Sequence, residues 1–265
     1  MPTTSLHGRG STLTPPGPVR AVAIIPARTG STRFPEKVLA DRTGRPLVQH
    51  VVEAAGRART VERVVVATDD PRVAAALEPY GTAVVMTRRD HPNGTSRLAE
   101  AAALLGLEAE SLVVNVQGDE PEIDPGVIDA AVEALAGSHA TVSTVATPFT
   151  PDQDPRNPNL VKVVRALDGS AMYFSRSLIP YDRDGRGGGD AAPLRHVGIY
   201  VYRRSFLEIY IDLPETPAER AESLEQLRVL QHGYRIAVAV RESSHQGIDT
   251  PEQYEAFVAR WRAGS

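Results

Sequence analysis

Three fixed cations crowd one short stretch of this chain, where Arg28, Arg33 and Lys37 fall within ten residues of one another. Around them Pro26, Ala27, Gly30 and Ser31 are small or rigid, so backbone N–H groups in this segment can approach an anion closely. Cations and open N–H groups together suit a triphosphate, whose charge must be offset from several sides. The spacing fits neither the Walker loop nor the dinucleotide fingerprint, and a solvated basic loop is the plain alternative. A second polar cluster, Gln117, Gly118, Asp119 and Glu120, follows an apolar stretch. Asp119 there is a candidate Mg²⁺ ligand, since that ion takes one or two protein carboxylates and completes its shell with phosphate and water. It reads equally as a turn acid. Asp249, just before Thr250 and Pro251, has the position of a helix N-cap.

Further polar residues sit where a ligand would need them. Arg88 and the run Asn93, Gly94, Thr95 precede a predicted helix, with Thr95 as its cap; the open N–H groups of a helix start can receive a phosphate or a base carbonyl. Gln117 can both donate and accept hydrogen bonds. His196 and Tyr200 are four apart on a predicted strand and share a face, although His196 alone reads as structural. Beside Glu225, Gln226 falls on the inward side of a predicted helix with Leu224, Leu227 and Leu230. An inward amide needs a partner, either a protein group or a bound polyol.

The elements that must position these groups alternate in type. Buried strands are predicted over 21–26, 63–68, 82–86 and 111–116, with helices over 47–58, from Asp70 and Pro71 onward, and over 95–105. That order predicts an α/β fold with a doubly wound, mainly parallel sheet, and ligands beyond the carboxyl ends of its strands. The second half is less regular. A hairpin is predicted around Asp168 and Gly169, strands over 198–203 and 236–240, a helix over 218–232 and a closing helix over 251–262. Residues 183–190 are glycine-rich and read as a mobile insert. Residues 1–20, rich in Gly, Pro, Ser and Thr, read as a flexible extension. The remainder reads as one domain, with a nucleotide part over about 21–150 and an elaborated part over about 151–265.

Taken in order, these stretches resemble the sugar-nucleotide cytidylyltransferases, and among them the 3-deoxy-manno-octulosonate (Kdo) cytidylyltransferases. The resemblance is carried by residues 26–37, 66–69, 86–95, 114–121, 173–180, 195–200, 224–228 and 249–252. It implies a nucleotide-diphospho-sugar transferase-like, Rossmann-like fold whose second half forms the sugar pocket and a dimer contact. It implies that CTP meets Pro26, Ala27, Arg28, Lys37, Arg88, Asn93, Gly94, Thr95 and Gln117. The sugar would meet Gln117, Arg176, His196, Tyr200, Glu225 and Gln226. Asp119 and Asp249 would hold Mg²⁺, with a second Mg²⁺ on the phosphates, while Arg28, Arg33 and Lys37 balance charge in the reaction. A homodimer and a role in lipopolysaccharide synthesis are implied as well. The chain departs from the family pattern at Glu36, Ser96, Tyr181 and residues 243–247.

Composition narrows the partners. Net charge is −4 over 265 residues and the cations are scattered, so no basic stripe points to nucleic acid. There is no cysteine, which excludes disulfides and thiolate metal sites and fits a reducing cytoplasm. No apolar run has the length of a membrane span. The competing expectations are a cytidylyltransferase for another acidic sugar, such as an amino analogue of Kdo or a sialic acid, and a catalytically silent nucleotide-binding module.

Overall fold

The computed structural model describes residues 19–30, 33–243 and 247–264. Most of the expected N-terminal extension, Ser31 of the basic loop and part of the atypical stretch before Asp249 lie outside the described residues.

One sheet runs through the molecule. Strands β1 (Ala21–Ala27), β2 (Val61–Thr68), β3 (Ala83–Met86) and β4 (Leu112–Asn115) are parallel in the order β3-β2-β1-β4. The sheet continues through β8 (Leu194–Arg203), β5 (Val142–Pro148) and β9 (Ile236–Val240). Strand β8 is antiparallel to both β4 and β5, and β9 returns parallel to β5. A hairpin of β6 (Lys162–Arg165) and β7 (Ala171–Ser175) joins the edge of β8.

Helices cover both faces because the strands are apolar on both. On β1, Ala21, Ala23 and Ile25 enter one core and Val22 and Ile24 the other, following the two-residue alternation of a strand. The first core is closed by α1 (Leu47–Gly56), α2 (Pro71–Leu77) and α4 (Pro125–Ala136). The second is closed by α3 (Gly94–Leu104), α5 (Arg204–Asp212) and α7 (Gln226–Gln231), the last preceded by the short α6 (Pro217–Glu222). Helix α8 (Pro251–Ala263) docks separately: Tyr254, Phe257 and Val258 pack with Leu47 and Ile248 beside Phe34 of the basic loop. His50 meets Phe257 edge-on at 5.1 Å and Trp261 at 4.4 Å.

Several local expectations change in the fold. The predicted helix over 218–232 is two helices, because Ser223 takes a left-handed conformation (φ 50°) that breaks the hydrogen-bond ladder. The cap of α3 is Asn93, whose Oδ1 accepts from Ser96 N at 2.9 Å; Thr95 lies inside the first turn. The cap of α8 is Thr250, paired with Gln253 in a capping box, so Asp249 is not needed as a cap. Helix α4 and strand β5 were not anticipated, although Asp124 and Pro125 repeat the acid–proline start of α2 and Asp124 accepts from Gly126 N at 2.8 Å. Residues 183–188 hold neither helix nor strand and lead into a 3₁₀ turn over Gly189–Ala191, with the Asp182 carboxylate accepting from Arg186 N and Gly187 N, each at 2.9 Å.

The docking of α8 matters because Asp249 lies at its start. Phe257→Ala is expected to lower unfolding free energy by about 3–5 kcal/mol, the usual effect of emptying a buried aromatic site. Urea titration checks this, and a change below about 1 kcal/mol would show that the cluster does not fasten the helix.

Candidate active site

The sheet order brings two loops together. Where the order departs from β1 toward β2 on one side and β4 on the other, the segments following β1 and β4 flank a crevice. The first carries Arg28, Arg33 and Lys37; the second carries Gln117, Gly118 and Asp119. Their approach is close enough to demand glycine: a Cβ on Gly118 would sit 3.0 Å from the Pro26 carbonyl oxygen.

Lys37 stands at the floor of this crevice. It opens a short 3₁₀ turn after Glu36, whose left-handed φ of 57° turns the chain inward. The buried ammonium donates to Asp119 Oδ2 at 2.6 Å, to the Ile248 carbonyl at 3.0 Å and to Asp249 Oδ1 at 3.2 Å. Arg33 Nη2 adds a contact to Asp249 Oδ1 at 3.0 Å. The Ile248 amide also donates to the Asp119 carbonyl at 2.8 Å, which ties the segment before α8 to the end of β4. Two acids remote in sequence thus meet around one cation. Glu120 does not add a second charge beside Asp119, since desolvation and the Asp119 carboxylate push it up to about 8. A cleft of about 330 Å³ opens here, lined among others by Pro26, Arg28, Arg33, Lys37, Gln117 and both aspartates.

Arg28 and Gln117 also line a second cavity of about 410 Å³, so the two spaces adjoin. Its walls are the start of α3 with Asn93, Gly94 and Thr95, the middle of β8 with His196, Tyr200 and Tyr202, and the α6–α7 turn with Glu225 and Gln226. Gln226 is 8% exposed and faces inward as its sequence position predicts, although the helix around it is shorter than expected. Desolvation dominates the chemistry of this cavity. It lowers His196 to about 3, helped by the charge on Arg195, and it raises Tyr200, Tyr202 and Tyr210 above the ordinary phenol range. Glu225 is exposed as a residue, yet desolvation is the largest influence on its carboxyl and raises it; Arg228 pulls the other way. Among the described residues, Asn115 Oδ1 and the Tyr200 hydroxyl are buried without a hydrogen-bond partner. They are cross-strand neighbours on β4 and β8, so both point to one face.

Three expected contacts do not line these spaces, the first being Ala27, which is fully buried at the end of β1. Arg176 is engaged elsewhere: its guanidinium donates to the carbonyls of Glu222 at 2.6 Å, Pro158 at 3.0 Å and Ser223 at 3.3 Å. The left-handed turn at Ser223 presents two of those carbonyls, and Arg176 does not line either cavity. Arg88 is exposed at the surface, 3.4 Å from Glu100 and 3.9 Å from Asp90, and does not line them either. In the other direction, Asn115, Tyr202 and Tyr210 line the second cavity and were not singled out. Asn115 had a readable signal, an amide closing an otherwise apolar strand. Tyr202 and Tyr210 look like ordinary core aromatics in sequence.

Comparison with known proteins gives the family. Residues 22–236 match the profile of the cytidylyltransferase family. A 3-deoxy-manno-octulosonate cytidylyltransferase of Syntrophobacter fumaroxidans is 48% identical over 241 residues, covering 91% of this chain and 96% of the relative. That of Geobacter sulfurreducens is 49% identical over 249 residues, covering 90% and 98%. A solved CMP:2-keto-3-deoxy-manno-octonic acid synthetase in complex with CTP superposes with a TM-score of 0.85 at 41% identity, covering 93% of this chain and all of that one. By its fold and by relatives matched along nearly their whole length, the chain belongs to the 3-deoxy-manno-octulosonate cytidylyltransferases.

Proposed function

We propose that this chain joins CTP to Kdo, forming CMP-Kdo and pyrophosphate. The observation that carries the reading is the meeting of Asp119 and Asp249 around Lys37, in a cationic cleft that opens past Arg28 and Gln117 into a polar cavity of sugar size. The cleft takes the triphosphate. The cytidine lies against the start of α3 and Gln117, and the sugar against β8 and the α6–α7 turn. This assignment divides the roles of the sheet between a nucleotide part, residues 21–150, and a sugar part, residues 151–265.

The donor set fits Mg²⁺. Among the described residues there is no cluster of three or more His, Asp or Glu that could form a closed metal site. Two hard carboxylates beside a phosphate site are what this ion accepts, with phosphate and water supplying the remaining oxygens. Asp119 and Asp249 would hold it, and when bound it would offset phosphate charge and ease ionisation of the attacking hydroxyl.

The chain's own residues do the positioning. Arg28, Arg33 and Lys37 hold the triphosphate and offset the charge that develops as pyrophosphate leaves. Gln117 lies between the two spaces and orients both reactants. His196, Tyr200 and Gln226 fix the sugar through hydrogen bonds, so that its anomeric hydroxyl lies in line with the α-phosphorus. No residue is required as a covalent nucleophile. The sugar's carboxylate falls to Arg28, the cation that lines both spaces; Arg176 would have to leave its carbonyl partners to reach it.

Three further features belong to this reading. Leu167, Met172, Leu178 and Tyr181 stand exposed on and after the β6–β7 hairpin, which supports a homodimer formed through the second half. No helix among the described residues is long and apolar enough to cross a membrane, in keeping with a cytoplasmic enzyme. CMP-Kdo would feed the synthesis of lipopolysaccharide.

Pyrophosphate release on mixing CTP, Kdo, Mg²⁺ and the protein is the direct test. Release is expected with Kdo, and none with CTP alone; equal release with a sialic acid would overturn the choice of sugar. Asp119→Asn is expected to lower kcat by about 10²–10³ or more with an unchanged circular dichroism spectrum; near-normal turnover would remove Asp119 from the reaction. Lys37→Ala is expected to lower kcat on the same scale, about 10²–10³. If it only melted at a lower temperature, the basic loop would be a structural element.

A further inference from the structure

Behind His196 lies a group that no sequence pattern singles out. Thr144, on β5, is fully buried and does not line the second cavity. Its hydroxyl lies 3.0 Å from His196 Nε2, 2.6 Å from the Ile199 carbonyl oxygen and 3.1 Å from the Val197 carbonyl oxygen. The arrangement follows from an irregularity in the sheet. Thr144 pairs with Tyr200 and Val145 with Val197, so β8 carries extra residues at Gly198 and Ile199 against β5. Such a bulge re-aims side chains and frees carbonyls from the ladder. Here it turns two carbonyls of β8 onto one hydroxyl, and it sets the His196 and Tyr200 rings 5.4 Å apart.

The proton count then has one solution. A threonine hydroxyl has a single proton and two lone pairs. Carbonyl oxygens only accept, so the proton goes to one of them, and Ile199 is the nearer. Toward His196 the hydroxyl oxygen can therefore only accept, and Nε2 must carry a hydrogen. If the hydroxyl donated to the ring instead, it would face both carbonyls with lone pairs alone, at 2.6 and 3.1 Å.

We propose that Thr144 is a positioning residue that locks His196 in the Nε2–H tautomer, so that Nδ1 presents a lone pair to the cavity and accepts a hydrogen bond from a sugar hydroxyl. Desolvation keeps the ring neutral, so Nδ1 does not gain a proton near neutral pH. Phe174, fully buried, holds the ring edge-on at 5.1 Å. The consequence is a choice of ligand chemistry. An acceptor at this point receives a hydroxyl donor and repels a carboxylate, so His196 reads the polyol part of the substrate and not its acid group. This deepens the proposed use of the second cavity as the sugar site and rests on that reading.

Two measurements test it. Selective ¹⁵N-histidine labelling of the substrate-free wild-type protein gives the tautomer of His196 directly, and Nε2–H with an unprotonated Nδ1 is expected at pH 7.5. An Nδ1–H tautomer would overturn the proposal. Thr144→Val removes the acceptor while keeping the volume, and Thr144→Ser restores it. Thr144→Val is expected to raise KM for Kdo about tenfold, as for the loss of one hydrogen bond, with KM for CTP unchanged and a His196 spectrum that no longer shows a single Nε2–H form. Thr144→Ser is expected to restore both. Equal rises in the two KM values, or a serine variant as impaired as the valine one, would overturn the proposal in favour of simple packing. Should the wild-type protein not turn over Kdo at all, the functional reading would fall, while the ¹⁵N spectrum would still decide the tautomer.

Discussion

One buried ammonium organises this molecule. Lys37 reaches from the loop after β1 to a carboxylate at the end of β4, and to a carboxylate and a carbonyl in the segment before α8. A lysine at 9% exposure is tolerated only because every direction it points in offers an oxygen. The same contact draws two carboxylates toward one point. The acids are 82 and 212 positions from the lysine in sequence, so neither could find the other through local structure. The sheet order supplies the first meeting and the docking of α8 the second. Gly118 permits the closeness, since any side chain there would press on the Pro26 carbonyl.

Two adjoining spaces then differ in their electrostatics. The cleft around Lys37 is lined by fixed cations and carboxylates and suits a multiply charged, hydrated ligand. The second cavity is built from tyrosines, a neutral histidine and amides, with acidity suppressed by desolvation. Neutral donors and acceptors discriminate hydroxyl patterns well, because an unmatched partner is costly where water is excluded. Arg28 and Gln117 belong to both spaces, and a reactant in either is held by the same two side chains.

Much of this was legible in the chain. The alternation of apolar runs with amphipathic segments gave the parallel half of the sheet, and a crevice at the strand ends followed from topology alone. The chemistry of the basic loop was visible because cations and small residues cluster locally. What escaped depends on tertiary context. The antiparallel course of β8 has no local signature, since a strand buried between two others reads the same in either direction. The break at Ser223 was invisible because a serine at positive φ carries no compositional mark. Arg176 looked like a ligand for an acid, yet it is drawn to carbonyls that exist only because of that break. The contact of Asp249 with Lys37 was masked by a cap preference that Thr250, one residue on, satisfies instead.

The position of α8 sets the order in which the centre can come into being. Every strand of the sheet precedes Asp249 in the chain, so the cationic cradle and its first acid are complete before the second acid is synthesised. A polypeptide ending after Val240 would hold every strand of the sheet but only one of the paired acids, whereas one ending after Asp249 would hold both acids without the helix that docks the second. In this architecture the pairing of the two acids is the last feature the chain completes, and it leans on a peripheral helix packed in a cluster of its own.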